Sequence, residues 1–257
     1  MAGKYLEEFK RLNTTARSIY DLEDSNVLIV LEDGTNLTDW EDVKFPNDVI
    51  YISENLSGYD DLSRWYGGFQ CLRAIVTSPI GDEVASMKGM FSNCMSLVDI
   101  SALWCWDVSG VCSMSGMFEA CLELTDLSPL AVWEVYNVED MSHMFCAGRE
   151  GKRLPFPSND VTPPGLDDPS FLEFWGVHGK GDRSVMSGNS SSLSDLSPLA
   201  DWDVSAVVTM EGMFEGCCSI VDASCLDDWD VSNVKSFSGM FDGCDSMEVY
   251  PKWYGRQ

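Results

Sequence analysis

Positive charge and histidine are scarce in this sequence. Its 257 residues include two histidines, and 16 lysines and arginines against 42 aspartates and glutamates, for a formal net charge of −26 at pH 7. A field of that sign repels phosphate backbones and anionic lipid headgroups. It argues against nucleic acid and membrane surfaces as partners, and in favour of cations, calcium above all, and basic protein patches. His143 and His178 have no partner set by sequence, and Gly-rich phosphate loops, HExxH and GxSxG are all missing. Nothing therefore points to an enzyme, and no cofactor is required.

CxxC pairs are absent too, which removes the commonest zinc spacing. The opening MAGKYLEEFKRLN carries charges where a secretory leader needs an unbroken apolar stretch, and no apolar run reaches the length of a bilayer span. The expectation is a soluble chain without membrane insertion, cytoplasmic as written, whose ten cysteines stay reduced.

What the sequence does contain is repetition. WDVSGVCSMSGMFEAC at 106, WDVSAVVTMEGMFEGC at 202 and WDVSNVKSFSGMFDGC at 229 differ at few positions. Aligning their tryptophans gives Trp106, Trp133, Trp175, Trp202 and Trp229, in steps of 27, 42, 27 and 27. The long step equals one repeat plus 15 residues, and LTDLSPLAVWEV at 124 aligns without a gap on LDDPSFLEFWGV at 166. That places a 15-residue insertion at 149–163, REGKRLPFPSNDVTP, within the third full coil.

Inside one repeat, apolar residues fall at roughly every third position: Phe118, Cys121, Leu124, Leu127, Leu130, Trp133, Val135, Val138, Met141, Met144, Phe145. This is neither the helical nor the strand period. It describes a chain that turns repeatedly around its own core, with stacked coils burying columns of like residues. A Trp-Asp dipeptide also marks propeller blades, but those need about 40 to 45 residues, whereas leucine-rich repeats run about 20 to 29.

The order MxGMFxxCxxLxxL followed by WDVSxVxxM, over about residues 69 to 250, resembles the BspA-like leucine-rich repeats of bacterial and protist surface proteins. The resemblance implies a right-handed solenoid of about 27-residue repeats with one parallel β-sheet and short helical turns. It also implies a role in adhesion or protein binding, often at the cell surface.

Residues 1–63 lack the repeat and are expected to form an N-terminal α/β cap on a solenoid spanning 64–257. Tyr5, Leu6, Phe9 and Leu12 fall on one helical face, and NVLIVLEDGTNL and VIYIS read as two strands joined through Asp33-Gly34 or a longer turn. Leu72, Ile75, Val84, Met87, Met90 and Phe91 mark an irregular first coil without its Trp, and Met247, Tyr250 and Trp253 would close the last one.

Candidate site residues follow from the columns. Asp99, Asp126, Asp168, Asp195 and Asp222 each begin an Asp-x-Ser triplet. Stacked at about 4.8 Å, such carboxylates would repel one another. The structural reading relieves this by Asx turns, each carboxylate accepting from the backbone two residues on. The functional reading bridges the row with calcium or a basic partner. A second acidic column, Asp107, Glu134, Asp203 and Asp230, precedes Ser109, Ser205 and Ser232, which are placed to N-cap a helical turn. Cys94, Cys121, Cys217 and Cys244 form a column close enough for disulfides but read as packed thiols, and Met90, Met117, Met144, Met186, Met213 and Met240 read as core. The insertion has a charge of about +1, with Arg149, Lys152 and Arg153 beside Phe156, and its prolines stiffen a projecting loop.

The expected function is a non-enzymatic, acidic protein-binding or adhesion module, its partner carrying a basic surface. The alternatives are a structural component docking through the loop or ends, and a calcium-dependent binder. Oligomeric state stays open.

Overall fold

The computed structural model describes residues 18–22, 27–31, 49–54, 56, 58–70, 72–147 and 191–255. The helical face at Tyr5 to Leu12, the insertion 149–163 and the Trp175 repeat lie outside them.

The local geometry begins at the glycine of Met-x-Gly-Met-Phe. Gly89, Gly116, Gly212 and Gly239 have φ of 62°, 62°, 59° and 67°, a left-handed conformation that glycine adopts without steric cost. Four residues later Asn93, Ala120, Gly216 and Gly243 are left-handed as well, at 64°, 57°, 79° and 75°. A chain reversed so often sustains neither helix nor strand and instead makes consecutive tight turns. Met90 N–H donates to Met87 O (3.1 Å), Ser92 to Gly89 O (2.9 Å) and Cys94 to Phe91 O (3.0 Å).

The alternate N–H groups have no acceptor within their own unit and donate to the next one. Met87, Gly89, Phe91 and Asn93 reach the carbonyls of Ser113, Ser115, Met117 and Glu119 at 3.0, 2.8, 2.8 and 2.7 Å. Met114, Gly116, Phe118 and Ala120 repeat the four rungs onto Asp140, Ser142, Met144 and Cys146. Backbone satisfaction, which other folds achieve by regular secondary structure, is achieved here by stacking.

Along the repeats, where a parallel sheet is expected, the described residues pair through isolated parallel bridges joining Asp61, Ser86, Ser113, Asp140, Thr209 and Ser236 in sequence. The left-handed residue three positions beyond each bridge ends the extended stretch before a strand can form. Helical turns do occur, as 3-10 helices at Ser101–Cys105, Ser128–Leu130, Ser197–Leu199 and Ser224–Leu226.

Side chains follow the backbone into columns. Tyr66, Phe91, Phe118, Phe145, Phe214 and Phe241 stack ring on ring with centroids 5.4 to 5.7 Å apart. Each such aromatic pair adds about 0.5–1.5 kcal/mol beyond its buried area. Each buried indole donates from Nε1 to the preceding unit: Trp133 to Leu103 O (2.9 Å), Trp202 to Leu130 O (3.0 Å), Trp229 to Leu199 O (3.0 Å). The cysteine column is free thiols that do the same, Cys94 Sγ donating to Tyr66 O and Cys121, Cys217 and Cys244 to Phe91, Phe145 and Phe214 O at 3.0–3.2 Å. Burial pushes the Cys94, Cys121 and Cys217 thiols well up and Cys244 to about 12, which keeps them protonated as donors. Every apolar position from Phe118 to Phe145 named from the sequence spacing is buried, as are Leu72, Ile75, Val84, Met87, Met90 and Phe91 of the first unit.

One expectation is corrected. Trp133 stacks directly on Trp202 (6.5 Å) and Phe145 on Phe214 (5.7 Å), and Asp140 bridges Thr209. The Trp202 indole reaches back across 72 residues where other units span 30, a surplus of 42. No Trp175 unit therefore lies between these two. The chain between these neighbours exceeds one repeat by 42 residues, not 15, because the register of neighbouring columns admits the Trp202 unit directly.

At the N-terminal end, β1 (Ser18–Leu22), β2 (Val27–Leu31) and β3 (Val49–Glu54) pair antiparallel, and β3 pairs parallel with β4 (Ala74–Thr77). β2 and β3 are the two strands expected from sequence, joined by the longer connection, while β1 is an addition. Ala74 bridges Asp99, and Trp106 Nε1 donates to Thr77 Oγ1 (3.0 Å), so the sheet passes its edge directly to the repeats. At the other end Trp253 occupies the tryptophan column, donating to Leu226 O (2.7 Å), and Tyr250 and Tyr254 meet Phe241 edge-on.

Replacing Phe118 by Ala removes a ring that is stacked on both faces. Urea denaturation should show a loss of about 3–5 kcal/mol, and a loss under 1 kcal/mol would mean that the ring stack does not hold the units together.

Candidate functional site

The exposed surface of each unit is built from turns that aspartate opens. Oδ1 of Asp99, Asp126, Asp195 and Asp222 accepts the backbone N–H of Ser101, Ser128, Ser197 and Ser224 at 2.7–2.9 Å. These are the Asx turns of the structural reading, and each delivers the chain into a 3-10 helix. Asp168 lies outside the described residues. The serine donors hold the Asp195 and Asp222 carboxyls below the usual carboxylate range, against a small opposing repulsion at Asp222 from Asp227.

The second column differs from expectation. Ser109, Ser205 and Ser232 cap no helix. Their N–H groups donate at 3.0 Å to Asp107, Asp203 and Asp230, whose carboxyls are lowered by the serine hydroxyl and backbone bonds. The aspartate, not the serine, organises the turn, because the following VxxM segment runs into the left-handed glycine instead of a helix. Asp107, Glu134, Asp203 and Asp230 are all exposed.

Between the two acidic columns the surface changes along the stack. In the units nearer the N-terminal end it carries Trp104 at 66 % and Val132 at 65 % exposure, with Tyr136 also exposed nearby. In later units the positions of Trp104 and Val132 are taken by residues that include Asp201, Asp227 and Asp228. Along the chain Trp104 falls between Asp99 and Asp107, and Val132 between Asp126 and Glu134, so two large apolar side chains are left in water on segments flanked by carboxylates. The sequence signal was available: Trp104 breaks the repeat at a position occupied by Ala131, Ala200 and Asp227 elsewhere.

A separate polar column runs through Ser92, Glu119, Cys146, Glu215 and Asp242, one residue after each ring of the stack. Ser92 Oγ donates to Glu119 Oε2 (3.2 Å), and burial raises the Glu119 carboxyl against the lowering influence of Ser92, His143 and Arg64. Arg149, Lys152, Arg153 and Phe156 of the insertion lie outside the described residues, and so does His178. Among the described residues no helix is long and apolar enough to cross a membrane.

A family model described as a Mycoplasma protein of unknown function, DUF285, matches residues 61–151 and 182–253. Its interruption falls within the stretch that the stack bypasses. Neither the curated proteins nor the solved structures contain a match.

Because an Asx turn needs an acceptor oxygen, Asp195→Ala should lower the urea midpoint while Asp195→Asn retains most of it. The Asp195 carboxyl is lowered in the folded chain, so its contribution is complete above the unfolded value near 4 and fades as pH falls through the folded value. The wild-type advantage over the Ala variant should therefore narrow below about pH 4, and an advantage that is flat with pH would remove the charge from the account. With Oδ1 of each described member of the row committed to its own turn, adding calcium to the metal-stripped chain should leave its melting temperature unchanged. A calcium-induced rise would restore the bridging reading.

Proposed function

The chain belongs to the DUF285 family, and on that premise we propose that it is a non-enzymatic protein-binding module that engages a basic partner through the face between its acidic columns. The observation that carries this reading is Trp104, two-thirds exposed, with Val132 of the following unit exposed to the same degree, each on a segment that runs between two acidic residues. Tryptophan is enriched among residues that dominate binding energy, and surrounding charge steers a complementary partner and selects against acidic ones. The chain's net charge of −26 extends that steering well beyond the contact itself.

The architecture we propose for the whole chain is a right-handed leucine-rich-repeat-like solenoid of the BspA-like type. The 27-residue spacing, the one-per-unit columns of Phe, Trp and Cys, and the short 3-10 turns support it. In such a scaffold the aspartate turns fix the outer surface, and specificity resides where individual units depart from the common pattern.

The test is quantitative binding of the immobilised chain to arrays of basic peptides containing aliphatic or aromatic residues. Trp104→Ala should weaken recovered interactions by about 10-fold or more, and Asp107→Lys with Glu134→Lys should weaken them and make their salt dependence shallower. Interactions indifferent to all three substitutions would place the contact elsewhere.

A further inference from the structure

Two departures from the repeat occur in one unit. The left-handed position that is Gly89, Gly116, Gly212 and Gly239 in four units, and Arg64 in the first, is His143 here, with φ of 56°. Cysteine, which elsewhere stands three residues after the ring, here stands one residue after it, at Cys146. A β-carbon at a left-handed position is strained where glycine is not, so the imidazole is held there against local preference. Its ring lies flush on Gly212 of the next unit, where any added β-carbon would collide with Nδ1 and Cε1.

The two residues belong to a single turn. Cys146 N–H donates to His143 O (3.1 Å), so the segment HMFC places imidazole and thiol on the same side. The neighbouring unit is locked in register by Ala147 N–H donating to Glu215 O (2.7 Å), which brings the Glu215 carboxylate alongside. The ligand atoms of His143, Cys146 and Glu215 all lie within 4.8 Å of one another, with Cys146 buried and the other two half-buried.

We infer that His143, Cys146 and Glu215 form a binding site for a zinc-class divalent cation. One imidazole nitrogen, one thiolate and one carboxylate make a borderline-soft donor set suited to zinc, whereas calcium takes six to eight oxygens. Bonds of about 2.0–2.3 Å to a common ion require the three atoms to draw slightly closer, a matter of side-chain rotation on a fixed backbone. Three protein ligands leave a fourth position in the tetrahedron for solvent or a ligand. Binding releases the Cys146 thiol proton to water. The site shares no residue with the face around Trp104 and stands or falls independently of it.

The experiment uses the full chain, stripped with chelator and titrated with cobalt(II) and then zinc. One cobalt per chain is expected, with a thiolate-to-cobalt charge-transfer band in the near ultraviolet and visible bands of a four-coordinate ion, all displaced by zinc. His143→Gly installs the residue of those four units, so it should melt no lower than wild type while losing the bands and weakening zinc binding more than about 100-fold. Cys146→Ser should abolish the charge-transfer band, Glu215→Gln should weaken binding, and Cys112→Ser, at an exposed thiol elsewhere, should change nothing. Absence of cobalt uptake, or bands that persist in folded His143→Gly, would overturn the assignment.

Discussion

Half of the backbone N–H groups around each Met-Phe pair have no acceptor in their own unit, and the structure depends on the next unit supplying one. Met87, Gly89, Phe91 and Asn93 are satisfied only because Ser113, Ser115, Met117 and Glu119 lie one layer away. A single unit would leave four donors and a ring unpaired, so neighbouring units must form together. The indole and thiol ladders add two further bonds per layer on the same spacing, and they explain why Trp and Cys recur with the period of the backbone.

That constraint separates two kinds of residue. Those facing inward answer to the neighbour above and below, which suppresses variation. Those facing outward answer only to the local turn, and the aspartates meet that need by bonding to the backbone two residues on. The acidic character of the surface is thus partly a consequence of how each turn is closed. Trp104 and Val132 need no such explanation from the scaffold, which is why the proposed contact face is placed there. His143 and Cys146 are the inward counterpart, positions where the scaffold's own preference has been set aside.

The ends show the same constraint being discharged. Strand β4 offers the first repeats a paired edge on one side and the antiparallel strands on the other. At the far end Trp253 continues the indole column, while Tyr250 and Tyr254 turn edge-on to the last ring and so end the parallel stack.

The period and the inward columns are legible in the residues alone, and the Asx turns are one of two readings they offer for the aspartate row, because each is a local pattern repeated until chance is excluded. From the sequence alone the positions Phe118 to Phe145 could be assigned to the core. It could not show which units are neighbours. LDDPSFLEFWGV resembles a repeat closely enough to be counted as one, yet Trp133 lies against Trp202, since adjacency is settled by the register of stacked rings and backbone ladders. The same holds for the cluster at His143: Glu215 shares the column position of Cys146, one residue after the ring, but nothing in the spacing says that the Phe145 and Phe214 units are neighbours. Only the stacking of one unit on the next brings the carboxylate to the imidazole and the thiol.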